Sequence, residues 1–379
     1  MSENQQQVIT AAHQTFKWSN DAPGRAAVHC VIIQFQPSRT APGNRRLFSY
    51  PDIAGPAVEH AASNINPYLL DAPSIIVRKS RHPLVPGVQP LVYGNKPADG
   101  GHLIFHTPEE VNDFMAAEPG AIPYIKRLLD AQDFLHGKER WCLWLVNAGP
   151  EIQKMPRVME RVRLVKATRE ASKSPIIRKF AEIPTLFVQR PHTGKPYLAV
   201  PCHTSERREY VPFGFMHGST VINNALFMVP DADLLTFGIM MSRAHVDWMR
   251  LTSGRLKSDY RYNKELTYNT FPWPDRNALT PAQIATIEKA AAAVLDARLG
   301  EDGQHRGSLA EMYNPLTMSP ELRKAHNTLD RAVDRLYGLK AGSTEAQRLT
   351  LLLGRYQELN PTLESQGKAP RRKKPAPRA

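Results

Sequence analysis

Cysteine is scarce in this 379-residue chain, which has only Cys30, Cys142 and Cys202. An odd, scattered set builds no disulfide framework and fits free thiols in a reducing cytoplasm, the compartment expected here. Cys202 adjoins His203 but has no second Cys or His at ligand spacing, so no metal site is expected. Long apolar runs are missing too. None approaches a membrane span, and the leader MSENQQQVITAAHQ has neither the basic n-region nor the apolar h-region of a secretory signal. A membrane partner is therefore not expected. No internal repeat points to a solenoid or propeller.

Acidic residues fall short of basic ones: 36 Asp plus Glu against 49 Lys plus Arg leave a net charge of +13. Six of the excess cations (Lys368, Arg371, Arg372, Lys373, Lys374 and Arg378) lie in a Pro-rich tail with the composition of a disordered, polyanion-binding segment. An excess of seven remains elsewhere, so the folded part is basic as well. A second concentration, Lys154 to Lys179, holds nine cations and two acids. Val158, Val162 and Val165 recur there at helical spacing, so Arg157, Arg161, Arg169 and Lys173 can project away from the apolar stripe. Such a face suits plain solvation or phosphate binding equally. The length exceeds that at which single cores stop growing, and two or three domains are expected.

Val28 to Phe35 is a strand-like run in which Val31, Ile32 and Ile33 are consecutive, so both of its faces want the cover given to an interior sheet strand. Only a short polar leader precedes it. Gln36 to Pro123 is punctuated by Pro and Gly, with SIIVRK as its one good strand candidate. IPYIKRLLDAQDFLHGKE predicts a helix ending at Gly137, and WCLWLV a short buried strand. TLFVQRPHTGKPYLAVP reads as a hairpin turning at Gly194, and STVINNALFMVP as a further strand. DADLLTFGIMMSRAHVDWMRLTSG predicts one helix capped by Asp231 or Asp233 and stopped by Gly254. TPAQIATIEKAAAAVLDARLG, SPELRKAHNTLDRAVDRLYGL and STEAQRLTLLLGRYQEL predict three more, which form a compact helical C-terminal domain.

These segments, in this order, resemble the carboxyl-terminal half of the MmeI-like family, bifunctional DNA methyltransferase and restriction enzymes related to type IIG systems. TFKWSNDAPGRAAVHCVIIQF, INPYLLDAP, YGNKPADGG, RWCLWL, EIPTLFVQR, KPYLAVPCHTSERREYVPFGF and SGRLKSDYRYNKELTYNTFPWP carry the resemblance, which extends over nearly the whole chain apart from the basic tail. It implies an α+β protein in four parts. Residues 1–40 would be the truncated end of a Rossmann-like S-adenosylmethionine methyltransferase sheet and 41–275 a mixed, β-rich target-recognition domain. Residues 276–362 would be an α-helical C-terminal domain and 363–379 a disordered basic tail. The function so implied is sequence-specific recognition for a site-specific adenine-N6 DNA methyltransferase, with double-stranded DNA as partner.

The family's catalytic chemistry is not found in these residues. S-adenosylmethionine, the cofactor of the complete family enzyme, sits on a Gly-rich strand-to-helix turn where only glycine lets the backbone approach so closely. No such turn opens a βαβ unit here, so no cofactor is expected on this chain. Adenine methylation also needs an Asp/Asn-Pro-Pro-aromatic tetrad. Ile65-Asn66-Pro67-Tyr68 is out of register with it and reads as a structural turn. A separately encoded methyltransferase or nuclease fragment is a second partner that the resemblance allows, and the chain alone is expected to be inactive.

Three groups of site residues follow from the resemblance. Phe16 and Trp18 stand where relatives stack an aromatic ring on a base flipped from the duplex, with ordinary packing as the competing reading. Glu206, Arg207 and Arg208, on a charged loop, combine the forked donor that suits guanine with the acceptor that suits cytosine, and are the base-reading candidates. Lys195, Arg255, Lys257, Tyr260, Arg261 and Lys264 interleave cations with aromatics and are expected to contact the DNA backbone. A generic basic nucleic-acid-binding module is the alternative from another class.

Overall fold

A computed structural model describes residues 7–19, 27–256 and 258–360. The basic tail and Lys257 lie outside the described residues. By backbone contacts the chain divides into two compact units. The first takes the described residues of Met1–Lys79, Thr270–Trp273 and Gly342–Ala379, and the second takes Ser80–Asn269 and Pro274–Ala341.

The first unit opens on a hairpin of β1 (Gln7–Ser19) and β2 (Ala27–Pro37), followed by β3 (Arg45–Ser49) and β4 (Val58–Ala62). They form one sheet of order β2-β1-β3-β4, in which β1 runs antiparallel to β2 and parallel to β3. The Val28–Phe35 run thus has a strand partner within the chain, since the polar leader is itself a strand from Gln7 onward. Its burial alternates, with Thr10 and Ala12 inside, so it shows no continuous apolar run to announce it. Ala12, Leu47, Ala62, Ile65 and Leu69 make the small core.

β2 remains apolar and uncovered, with Val31 47 %, Ile32 55 % and Phe35 56 % exposed. The Ile65–Tyr68 string folds as a turn. Asn66 is fully buried, and its Oδ1 accepts from the backbone N–H groups of Tyr68 at 3.0 Å and Leu70 at 3.1 Å. SIIVRK is not a strand. Two of its backbone donors are met by tyrosine hydroxyls, Val77 by Tyr68 at 2.8 Å and Arg78 by Tyr356 at 2.9 Å.

The second unit begins with β5 (Val92–Tyr93), β6 (Ile104–Phe105), α1 (Pro108–Ala117), β7 (Ile125–Leu129), α2 (Ala131–His136), β8 (Trp141–Leu143), α3 (Pro156–Glu170) and α4 (Pro175–Lys179). The predicted helix across Ile122–Glu139 is therefore half strand. Pro119 and Pro123 precede β7, and Asp130 starts α2 with a capping box that ends at Gly137 in the left-handed region, φ 66°. Next come β9 (Tyr197–Pro201), β10 (His203–Thr204), β11 (Gly214–Met216), β12 (Val221–Ile222), β13 (Leu226–Pro230), α5 (Leu234–Met240), α6 (Arg243–Thr252), β14 (Gly254–Leu256) and β15 (Asp259–Arg261).

Two four-stranded sheets, β12-β7-β8-β6 and β11-β9-β13-β5, build the centre of this unit. Val158, Val162 and Val165 of α3 close the first with Leu128, Cys142, Leu143 and Trp144. The expected hairpin about Gly194 does not form, because β9 pairs with β11 and β13 while Gln189 of the preceding run bridges only to Lys96. The predicted helix from Asp231 to Gly254 is two helices. Asp233 caps α5, and the chain turns extended at Ser242, whose Oγ donates to the carbonyl of Ile239 at 2.7 Å. Gly254 starts a strand.

The unit ends with α7 (Pro281–Asp296), α8 (Leu309–Met312) and α9 (Pro320–Leu336), of which α7 packs on α5 and α9. Thr280 and Ser319 cap α7 and α9. The last helix, α10 (Glu345–Leu359), begins with a Thr344 capping box and belongs to the first unit.

Candidate nucleic-acid interface

Two charged stretches separated by some fifty residues meet in a small third sheet of the second unit, of order β10-β15-β14. His203 pairs with Arg261 and Thr204 with Tyr260, and the β14–β15 hairpin sets Arg255 opposite Tyr260. The Ser205–Arg208 loop therefore leaves β10 beside the hairpin. It is a tight turn, with the Arg208 N–H donating to the Ser205 carbonyl at 3.2 Å. Asp259 Oδ1 accepts from the backbone N–H of Glu206 at 3.2 Å, which ties loop to hairpin. Asp259 drew no attention in the sequence, because its partner is local only once the sheet has formed.

Along β15 the period of two places Tyr260 inside, between exposed Asp259 and Arg261. Tyr260, expected as a backbone contact, is 8 % exposed and serves as a platform for Arg255. The Arg255 guanidinium carbon lies 4.1 Å from the ring centroid, and Nη2 donates to the Tyr260 hydroxyl at 2.8 Å. Its Nη1 donates to the Ser258 carbonyl at 2.8 Å and reaches Glu206 Oε2 at 3.5 Å. Tyr262 is buried, its hydroxyl 2.7 Å from Nε2 of His245. Burial drives the His245 imidazole down to about 3.

Arg207 and Arg261 are exposed and Lys264 is half-buried. Arg208 is half-buried, its carbonyl held by Nη2 of Arg250 at 3.0 Å. Burial lowers the Arg208 guanidinium pKa, against the pull of Asp259. Lys195 is exposed beside Gly194, φ 80°, and pairs with Asp231 at 3.7 Å, outside the loop and hairpin. Glu206, Arg207, Arg208, Arg255 and Arg261 are thus drawn into one neighbourhood that Lys195 does not share by any contact described.

The basic helix α3 departs from expectation. Arg169, read as projecting away from the stripe, is fully buried and donates to the carbonyls of Pro97, Ala98, Phe180, Ile183 and Leu186 at 2.7–3.1 Å. Arg161 stacks over Phe105 with 4.2 Å to the centroid, donates to the His102 carbonyl at 2.8 Å and pairs with Glu110 at 2.9 Å. Both knit the loops before α1 to α3. Arg157 and Lys173 are exposed, as expected.

In the first unit the two aromatic candidates differ. Phe16 stacks on Tyr50 with centroids 5.0 Å apart and meets His13 edge-on at 6.2 Å. Trp18 is 48 % exposed.

Comparison with known proteins agrees along the chain. Residues 2–49 match the model of the MmeI DNA-methyltransferase domain, 71–275 that of the MmeI target recognition domain, and 279–364 that of the MmeI C-terminal domain. DNA methyltransferase A of Bacillus subtilis (strain 168) is 38% identical over 352 residues, covering 93% of this chain and 38% of that protein. The solved structure of the type IIL restriction-modification enzyme MmeI in complex with DNA superposes with a TM-score of 0.81 at 39% identity, over 94% of this chain and 46% of that one. The chain thus spans less than half the length of either relative.

Proposed function

The chain belongs to the MmeI family, and on that premise we propose that it is the sequence-reading portion of a site-specific adenine-N6 DNA methyltransferase. It binds duplex DNA and depends on other polypeptide for methyl transfer. The observation that carries this reading is the joining of the Ser205–Arg208 loop to the β14–β15 hairpin, which sets one acceptor, Glu206, among four arginines. Acceptor and forked donors together are what major-groove readout requires, and exposed cations outside the loop, such as Arg261 and Lys195, suit phosphates.

The glycines of the first sheet support this division of labour, since a methyl donor needs a Gly-rich strand-to-helix turn. Gly43 and Gly55, the glycines between β2 and the Ile65–Tyr68 turn, each lead into a strand, not a helix. No step of transfer is therefore assigned to this chain. Trp18, with half its surface free, is the better placed of the two aromatics to stack on an extruded base, because Phe16 is engaged by Tyr50.

A second reading within the same premise is a split enzyme, in which a separately encoded fragment supplies S-adenosylmethionine and the tetrad. The exposed apolar side chains of β2, at the end of its sheet, favour it, since further methyltransferase strands would cover them. Selection from randomised duplexes should enrich a defined motif on the chain alone, and calorimetry with S-adenosylmethionine should show no stoichiometric binding. Salt-sensitive binding without any motif would point instead to a generic basic module, and micromolar donor binding would contradict the division of labour.

A further inference from the structure

The Arg255 side chain is held more firmly than a phosphate contact needs. Its guanidinium is stacked on Tyr260 at 4.1 Å, anchored through Nη2 to the Tyr260 hydroxyl at 2.8 Å, and anchored through Nη1 to the Ser258 carbonyl at 2.8 Å. From that fixed position Nη1 faces Glu206 Oε2 at 3.5 Å, with both side chains still in contact with solvent, 43 % and 31 % exposed. Glu206 is fixed from the other side through its own backbone N–H on Asp259. The strand register that puts Arg255 opposite Tyr260 is thus also what brings a cation to the one carboxylate among the base-reading candidates.

We infer that Arg255 is a positioning residue for Glu206 in base readout, not a contact to the DNA backbone. A carboxylate that approaches duplex DNA meets one phosphate charge per roughly 1.7 Å of helix axis and is repelled unless a cation travels with it. Arg255 supplies that cation and occupies one carboxylate oxygen. The other oxygen is left to accept from an exocyclic amine, the pairing by which Glu recognises cytosine. The planar fork is needed for this, because one guanidinium spans Ser258, Tyr260 and Glu206 at once, which a lysine ammonium on a flexible stem does not. The inference rests on the reading of this chain as a DNA-recognition protein.

The test is a double-mutant cycle on the full chain, using the duplex motif that the wild-type chain selects and its single-base-pair variants, each measured at several salt concentrations. Glu206→Gln, Arg255→Ala and the double variant should all lose discrimination at the same base pair by about tenfold, with the double variant no worse than either single one. Arg255→Lys should lose it as well, and the salt slope of Arg255→Ala should stay within a fraction of a unit of wild type. Arg255→Ala weakening every duplex alike, lowering the slope by about one unit and being rescued by Lys, would make it a phosphate contact and overturn the inference. So would additive losses at two different base pairs. Absence of any selected motif for the wild-type chain would remove the recognition reading itself, and the inference with it.

Discussion

The ring of Tyr210 lies against that of His326, with centroids 3.9 Å apart and planes 23° from parallel. This stack joins the end of the charged loop to α9, and polar contacts extend it. Tyr210 donates to Asp330 Oδ2 at 2.6 Å, while Asp330 Oδ1 accepts from the backbone N–H of Arg243 at 2.7 Å. Nε2 of His326 is 2.9 Å from the Tyr313 hydroxyl, which accepts from Arg298 at 2.7 Å. Glu209, one residue before Tyr210, pairs with both Arg243 and Arg323. The loop Ser205–Arg208 is therefore mounted on the helices behind it, and Glu209 is part of the mount.

Glu209→Ala should accordingly lower stability by about 1–3 kcal/mol, because Arg243 and Arg323, both partly buried, each lose a carboxylate partner, and shift the melting temperature down by several degrees. Discrimination among duplexes, measured well below the melting transition, should stay that of the wild type. Loss of base preference without loss of stability would move Glu209 into the reading set.

Arg169→Met should be far more damaging. It removes the fully buried guanidinium that donates to five carbonyls, and a loss above about 3 kcal/mol or failure to fold is expected. Arg169→Lys should fail similarly, since an ammonium offers three donors. Exposed Lys173→Ala, by contrast, should stay within about 0.5 kcal/mol of wild type in the same denaturation experiment.

His245 sets a pH dependence. Its imidazole, held neutral by burial and titrating near 3 against an ordinary 6.5, binds fewer protons in the fold than in the unfolded chain. Its contribution is complete above pH 6.5 and is lost as pH falls toward 3, amounting to roughly 2 kcal/mol by pH 5. Melting curves of wild type should move down through that window, and those of His245→Gln should move less. Parallel shifts in the two proteins would contradict this assignment.

Ile32→Glu on β2 should improve monodispersity in light scattering while sparing DNA binding, because a charge on an exposed apolar strand at the end of a sheet discourages association there. A wild-type chain that is a clean monomer at high concentration would argue against β2 as a docking strand.

The elements written in local chemistry were legible from sequence: the Thr280, Ser319 and Thr344 caps, the Gly137 stop and the buried WCL strand. What depends on distant pairing was not. β1 shows no apolar run, β10, β14 and β15 are two or three residues long, and the run before Gly194 is left without a strand partner by contacts far away in the chain. Candidate residues behaved the same way. Glu206 to Arg208 could be picked out by type, but the Arg255–Tyr260–Glu206 arrangement exists only once the sheet forms. Arg169 illustrates the converse, since charge in a sequence reads as surface even where five carbonyls await it.

We propose a division in which the loop reads bases while cations elsewhere hold the backbone. It is tested most directly by selecting duplexes from one randomised pool with the wild-type chain and with Glu206→Gln, Arg208→Ala and Lys195→Ala. The first two variants should relax or change the selected motif at individual base pairs, with a cost of about 1–3 kcal/mol at each position, whereas Lys195→Ala should keep the motif and lose affinity for every duplex alike. A motif unchanged by both loop substitutions, with affinity merely lowered throughout, would contradict it.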